Sequence, residues 1–505
     1  MIQVFAKTQA GCRRLFPCHL LRRVSTLAVA TCAVFVAQFV CTAALKAESD
    51  ARPNIVVILA DDMGYGDLNA FNPQSKIETP NLDALAKSGV CFVDAHAGGS
   101  TCRPSRYALM TGRFAARKDD LSDKVPTIVQ GRATVASMLR ENGYRTAMVG
   151  KWHLGFDRKA KKADGKDADF DYGQPITGGP FDRGFDSFFG MHASLDIQPY
   201  FYIRDQMATM PASQQVQAND SVAGDEDWNH IQGAFWRAGD VAPDFKHQEV
   251  TQRFADETCK VIESHDKQKP LFLYLALPSP HTPWLPAKEF VGKSSVGMYG
   301  DFVMTVDKVV GQVLRSLDTA GIGKDTIVMF SSDNGPVWYQ KDVDRFDHQS
   351  VGPLRGCKAS AWEGGHRVPF IVRWPGRVKA DSRNEHTIAF SDVFATFAEV
   401  AGNANASKEF AEDSVSFLHA MLHSGETSPT ESTRPPILHS AKVIRDGDWK
   451  LINTKGSRGF NAPKKVNYPI ALYNLKEDLS ETNNLAEKMP EKVDELKAKI
   501  ERIIP

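Results

Sequence analysis

The chain has 505 residues, 42% hydrophobic and 24% charged, with 61 basic residues balanced by 61 acidic ones. That length and balance fit a globular protein with a large core and more than one domain. They exclude a broad basic surface for nucleic acid or other polyanions, and no heptad, repeat or low-complexity tract interrupts the sequence.

Residues 1–47 differ from the rest. They carry Lys7, Arg13, Arg14, Arg22, Arg23 and Lys46 but no acid, and an apolar run from Val24 to Leu45 closes on small residues at Ala47. A basic region, an apolar region and small residues, in that order, read as a secretory signal peptide, so the mature chain is expected to be exported, periplasmic or secreted. The run is about 20 residues, long enough to span a bilayer, so an uncleaved membrane anchor is the alternative. Gln38 and several Ser and Thr weigh against it. Cleavage removes six of the 61 basic residues and none of the 61 acidic ones, leaving a net charge near −6. An anionic substrate must then be held by a few focused cations. Of eight cysteines, four leave with the leader, and Cys91, Cys102, Cys259 and Cys357 are too scattered for a disulfide framework.

The next stretch, Pro53 to Ala60, is continuously apolar and β-branched, which suits a strand buried on both faces of a parallel sheet. It stops at Asp61-Asp62. A bound cation resolves the repulsion of two adjacent carboxylates; so does a solvated turn, and this stretch alone leaves both open. Asn81 to Gly89 and Thr134 to Gly143 read as short amphipathic helices with a glycine stop. Between them an apolar run, Val90 to Val93, leads to Gly99-Ser100-Thr101-Cys102-Arg103-Pro104-Ser105-Arg106, the start of another helix. Arg103 and Arg106 beside Cys102 are expected to lower its thiol pKa, whereas a lone cysteine is otherwise a small core hydrophobe.

The strand-then-polar pattern recurs. Tyr144 to Val149 ends in Gly150-Lys151-Trp152-His153, Leu271 to Leu277 ends in Pro280-His281-Thr282-Pro283, and Thr326 to Ser332 ends in Asp333-Asn334-Gly335. Open α/β sheets bind ligands outside the carboxyl ends of their strands, so these exits are expected to meet in one pocket. Asp301 to Ala320 is the clearest helix, its apolar stripe read as core packing. Two polar stretches, Asp157 to Pro180 and Asp205 to Phe245, are long enough to be rims of a site, though most of their charges fit a solvated loop. A glycine-dense segment from Val351 to Pro369 carries Lys358, Trp362 and His366. Phe370 to Arg373 is a strand, and His386 to Ala401 reads as a helix. After about Arg434 short alternating runs (Ile437 to His439, Lys450 to Ile452, Ala471 to Leu475) and an amphipathic Met489 to Ile504 indicate a small antiparallel sheet with a terminal helix.

The expected fold is therefore α/β: a large, mostly parallel sheet sandwiched by helices, with a smaller C-terminal antiparallel sheet plus helix. The domains are 1–47 (leader), 48–425 (catalytic) and 426–505 (C-terminal subdomain).

In order, Asp61-Asp62, Cys102-Arg103-Pro104-Ser105-Arg106, Gly150-Lys151-Trp152-His153, Pro280-His281-Thr282-Pro283, Ser332-Asp333-Asn334-Gly335, and Lys358 before Trp362-Glu363-Gly364-Gly365 resemble the landmarks of the formylglycine-dependent type I sulfatases (arylsulfatase family, alkaline phosphatase superfamily). Tyr473-Asn474-Leu475 and Asn484-Leu485 look like that family's C-terminal subdomain. The resemblance implies hydrolysis of sulfate monoesters of a carbohydrate or aryl alcohol, with Cys102 oxidised to formylglycine by a formylglycine-generating or equivalent maturation enzyme. It implies a divalent metal, calcium with magnesium as the alternative, on Asp61, Asp62, Asp333, Asn334 and the modified Cys102; an all-oxygen set suits a hard cation. It further implies that Lys151 and Lys358 clamp the sulfate, Arg106 holds the modified side chain, Asp333 helps activate its hydrate, His281 protonates the leaving oxygen and His153 takes the second hydroxyl's proton. The expected partners are a small sulfated substrate, in the first place a sugar sulfate, and no nucleic acid. A phosphonate or phosphate ester hydrolase on the same scaffold and an unconverted binding protein are the competing functions.

Single residues have plainer readings. A histidine at a buried strand end is often only a structural donor. Ser194 aligns roughly with a sulfate-proximal serine of some relatives. His348, Arg355 and His366 either touch substrate or are solvated, Arg113 braces the Cys102 turn, and Trp284 and Trp362 are packing residues before they are sugar platforms.

Overall fold

The computed structural model describes residues 52–117, 125–157, 171–220, 228, 231–425, 434–454, 459 and 468–504. The expected leader at 1–47 and most of the Lys/Asp-rich stretch (158–170) lie outside the described residues. Among the described residues no helix is long and apolar enough to cross a membrane.

Five runs of apolar, mostly β-branched sequence form the centre of a ten-stranded sheet. They are β1 (Asn54–Ala60), β2 (Arg145–Lys151), β3 (Ser187–Met191), β4 (Leu271–Ala276) and β5 (Thr326–Ser332). Their order is β3-β2-β4-β1-β5, and every neighbouring pair is parallel. Beyond β5 lie the antiparallel Phe370–Arg373, then Val90–Phe92 and Ser382–Asn384; beyond β3 lie Ile203–Arg204 and Met207–Ala208. Val90–Phe92 is antiparallel to an antiparallel strand, so it runs with the central five, and its carboxyl end leads to Cys102 at the same edge.

Every residue of β1, β4 and β5 is buried, so helices cover both faces of the sheet. Pro80–Lys87, Val250–Glu263 and Gly297–Thr319 pack together as one group; α1 (Cys102–Thr111), Val135–Glu141 and Asp392–Val400 form the other. The stripe expected on Asp301 to Ala320 is core packing: Phe302, Val303, Val306, Val309, Val310, Val313 and Leu317 are all buried. Burying a Val or Ile side chain is worth about 1.5–3 kcal/mol, so Ile58→Ala in β1 would cost about 2–5 kcal/mol. The segment His386 to Ala401 is helical only from Asp392. Before it, Ile388–Ala389 pairs in parallel with Ala95–His96 as a two-residue strand, closed by Ile388 N–H to Asp94 O and Phe390 N–H to His96 O.

The C-terminal sheet has four strands in sequential antiparallel order, Ile437–Ser440, Val443–Asp446, Trp449–Ile452 and Ala471–Asn474. Its period-2 alternation serves two partners. Ile444, Leu451 and Leu472 meet Val493, Leu496 and Ile500 of the terminal helix Pro490–Ile503. Val443, Ile452, Ala471 and Tyr473 meet Trp362, just beyond Lys358.

Candidate active site

Because the central strands are parallel, their carboxyl ends share one edge, and each predicted polar exit lies there. The exits are stitched to one another: Asp61 N–H donates to Ser279 O (3.0 Å) and Asp333 N–H to Ala60 O (3.0 Å). A Cβ on Gly335 would sit 1.9 Å from Gly364 O, so only glycine lets the Asp333-Asn334 turn press against the segment after Lys358.

Cys102 is the first residue of α1, after an extended Thr101, and Gly112 ends the helix in the left-handed region (φ 66°). The thiol is buried, donating to Asp61 Oδ1 (3.5 Å) and accepting from Lys151 Nζ (3.6 Å) and Lys358 Nζ (3.7 Å). Lys151 also pairs with Asp61, and Lys358 with Asp62 (2.6 Å). Arg106, one turn along α1, donates from Nε to Asp333 Oδ2 (3.0 Å), from Nη2 to Asp61 Oδ2 (3.2 Å) and from Nη1 to Lys151 O (3.0 Å). It therefore reaches position 102 through the two carboxylates it orients. His281 Nδ1 lies 2.6 Å from Thr282 O and its Nε2 3.7 Å from Asp62 Oδ2. His153 is buried and its Nδ1 meets no hydrogen-bond partner. Asp62 and His153 both hold positive φ (65° and 56°), as does Ala359 next to Lys358 (65°), strain that sidechain-bearing residues tolerate only where the surroundings enforce it.

Metal-binding geometry can be tested on the donors themselves. Ligand atoms of Asp61, Asp62, Cys102 and His281 all lie within 4.8 Å of one another. Calcium–oxygen distances of about 2.3–2.6 Å place shell ligands within about 5 Å of each other. Asn334 Nδ2 donates to Asp62 Oδ1 (2.6 Å), which aims its carbonyl Oδ1 elsewhere, and that buried oxygen has no partner. Asp333 Oδ1 receives the Asp62 N–H (3.3 Å). With the Asn334 amide turned over, so that Oδ1 takes the place of Nδ2 beside Asp62, Asp61, Asp62 and Asn334 offer an oxygen set suited to a hard divalent cation; Asp333, whose Oδ2 is taken by Arg106, is not part of the converging group.

Electrostatics overturn one expectation. Burial, followed by Asp333 and Asp61, raises the Cys102 thiol far above its ordinary value, against Lys151 and Lys358. The neighbouring arginine Arg106 is engaged by carboxylates from strands far away in sequence, so it does not make Cys102 a thiolate. Burial opposes ionisation of Asp61, yet Lys151, His281, Arg106 and Lys358 hold its carboxyl below the ordinary range. Burial and Asp61 push Asp333 upward. Burial, Lys151, Arg103 and Arg106 hold His153 well below the ordinary histidine value, so its imidazole is neutral.

Other predicted residues sort clearly. Ser194 Oγ is buried without a partner. Arg113 pairs with Glu412 (2.6 Å) and also donates to Tyr107 OH, bracing α1. His348 and His366 are not solvated: His348 Nε2 is 2.9 Å from Asp67 Oδ1, and His366 is fully buried between His96 and Lys450. Arg355 stacks over Trp362 (4.1 Å), and Trp284 packs on Trp228 and Tyr299. Tyr274 on β4 was not anticipated. Its hydroxyl is buried near Arg106, and burial first of all pushes its pKa up to about 12. The signal was a lone polar group inside an otherwise apolar strand.

Comparison with known proteins agrees with this geometry. The Sulfatase family model matches residues 53–403. The chain is 31% identical over 495 residues to an N-acetylgalactosamine-6-O-sulfatase of Bacteroides thetaiotaomicron, covering 90% of this chain and 94% of that protein. It is 29% identical over 489 residues to arylsulfatase G of Rattus norvegicus, covering 90% and 86%. A solved structure from work on glycosaminoglycan metabolism by Bacteroides thetaiotaomicron superposes with a TM-score of 0.76 at 30% identity, covering 90% of this chain and 99% of that one.

Proposed function

The chain belongs to the sulfatase family and hydrolyses sulfate esters; from that premise we propose that position 102 carries the nucleophile, as formylglycine, beside a divalent cation. The observation that supports this reading most is the thiol position itself, 3.5–3.7 Å from Asp61, Lys151 and Lys358 and buried with them. An inert, protonated thiol in that place makes sense as a precursor rather than as a nucleophile.

Asp61, Asp62 and Asn334 would hold the cation, calcium or magnesium, which supplies charge neutralisation for a sulfate oxygen and for the attacking oxygen. Formylglycine made at Cys102 by a maturation enzyme would, once its aldehyde has added water, offer one hydroxyl to attack sulfur and a second whose proton can be removed so that the aldehyde re-forms and sulfate leaves. The remaining work falls to the protein's own residues. Lys151 and Lys358 flank position 102 and hold two sulfate oxygens, each such group being worth about 3–4 kcal/mol where charge develops. Arg106 favours the charged forms of Asp61 and Asp333, against the upward push of burial, and holds the two in register. Asp333 accepts a proton from the attacking hydroxyl. His153, held neutral, accepts the proton of the second hydroxyl. His281, the most open of the set, delivers a proton from Nε2 to the leaving oxygen while Nδ1–H donates to Thr282 O.

The relatives support one substrate class. An N-acetylgalactosamine-6-O-sulfatase matched along 90% of this chain favours a 6-O-sulfated amino sugar. The basic-then-apolar composition of residues 1–47 supports export of the enzyme with removal of that segment. Released sulfate from desalted 6-O-, 4-O- and 2-O-sulfated mono- and disaccharides, beside nitrophenyl sulfate and nitrophenyl phosphate, tests the reading. Selective release from the 6-O-sulfated amino sugar supports it; a preference for the phosphate ester or for another position overturns the reaction or the substrate, respectively.

A further inference from the structure

Lys358 sits in the middle of a glycine-rich loop, and both flanks of that loop are tied to one residue of the C-terminal subdomain. Arg355 Nη1 donates to the Glu481 carbonyl (2.6 Å) on one side. Glu363 N–H donates to Glu481 Oε2 (2.6 Å) on the other. Ser480 Oγ adds a bond to Pro353 O (2.8 Å). Glu481 is fully buried, at φ 53°, a conformation that a non-glycine residue holds only when its contacts enforce it.

Its carboxylate is itself fixed. Lys450 Nζ lies 2.9 Å from Glu481 Oε1 and 2.9 Å from Glu363 Oε1, and all three side chains are inaccessible to solvent. His366 Nε2 accepts from the same ammonium at 3.2 Å. A buried ion cluster is an inefficient source of stability, because desolvation offsets the attraction. It is a good way to fix geometry. The loop needs that: Gly356, at φ 85°, adds to it a residue of little intrinsic stiffness, and the Lys358 ammonium must stay 2.6 Å from Asp62 and 3.7 Å from Cys102 Sγ.

We propose that Glu481, held by Lys450, is a positioning residue for Lys358: it clamps both ends of the 355–363 loop and so sets where the sulfate-binding ammonium lies. This rests on the reading of Lys358 given above. It assigns the C-terminal sheet a part in catalysis, since Lys450 comes from that sheet and Glu481 from the turn that follows it.

A double-mutant cycle tests it, with the matured full-length enzyme and nitrophenyl sulfate as substrate. Glu481→Ala is expected to lower kcat/KM at least about tenfold in the wild-type background and less than about threefold when Lys358 is already alanine, because a residue acting only through Lys358 has nothing left to position. Inhibition by inorganic sulfate should weaken in parallel with Lys358→Ala. Equal losses in both backgrounds, or a loss under threefold in the wild type, overturn the clamp. A Lys358→Ala enzyme of near-normal activity overturns the reading of Lys358 instead, a separate result. Should Glu481→Ala not fold, Arg355→Met severs the opposite tie and passes through the same cycle, with the same two outcomes decisive.

Discussion

Lys358→Ala is the perturbation whose size the geometry best defines. The residue is only 6% exposed, and its ammonium lies 2.6 Å from Asp62 and 3.7 Å from the Cys102 sulfur. A preorganised charge in such a water-poor site contributes about 3–4 kcal/mol to a developing anion. At about 1.4 kcal/mol per tenfold, its removal should lower kcat/KM by about 10²–10³. The substitution also removes one partner of the buried Asp62 carboxylate, leaving Asn334 and His281 beside it, so some loss of stability is expected. Rates should therefore be taken well below the variant's melting temperature, with circular dichroism confirming the fold. Released sulfate measured by ion chromatography over a range of substrate concentrations gives kcat and KM separately. Lys358→Arg, which keeps the charge but replaces a point donor by a wide planar fork, should fall between the two. A loss under threefold for the alanine variant removes Lys358 from the site.

Cys102→Ala should abolish turnover while the melting temperature stays close to wild type, because the thiol's long hydrogen-bond partners Asp61, Lys151 and Lys358 keep carboxylate–ammonium pairs without it; full residual activity refutes the assignment. His281→Gln should slow sugar sulfates far more than nitrophenyl sulfate, whose leaving group needs no proton, and equal losses on both would remove the acid role. Stability should fall in acid. Burial above all holds His96, His366 and His439 below the ordinary histidine value of 6.5, so the unfolded chain takes up protons that the fold excludes. The stabilisation is complete above that pH and is lost as pH falls below it, by up to about 1.4 kcal/mol per imidazole per pH unit. Thermal melts from pH 7.5 to 5 should show this slope and a shallower one in His439→Phe; a flat profile contradicts it.

The strands and their polar exits were legible because both signals are local: a β-branched apolar run, then an abrupt carboxylate, lysine or histidine. Asp61, Asp62, Lys151, His281, Asp333 and Asn334 are each next to or near such a break, and parallel pairing then brings the breaks to one edge; Lys358 was legible instead as the cation of a glycine-dense segment. What stayed hidden was contributed by partners distant in sequence. Arg103 and Arg106 beside Cys102 suggest a thiolate, but Asp61 and Asp333 lie 41 and 231 residues away and reverse that balance. Lys450 and Glu481 look like solvated charges in polar sequence, and only folding buries them against Glu363. His366 likewise reads as a loop residue until the C-terminal sheet closes over it.

Peptide mass spectrometry across residues 100–113 of natively expressed, active protein tests the central claim most directly. The account predicts an aldehyde in place of the thiol at position 102, in proportion to specific activity. A fully active preparation in which residue 102 is an intact cysteine would contradict it.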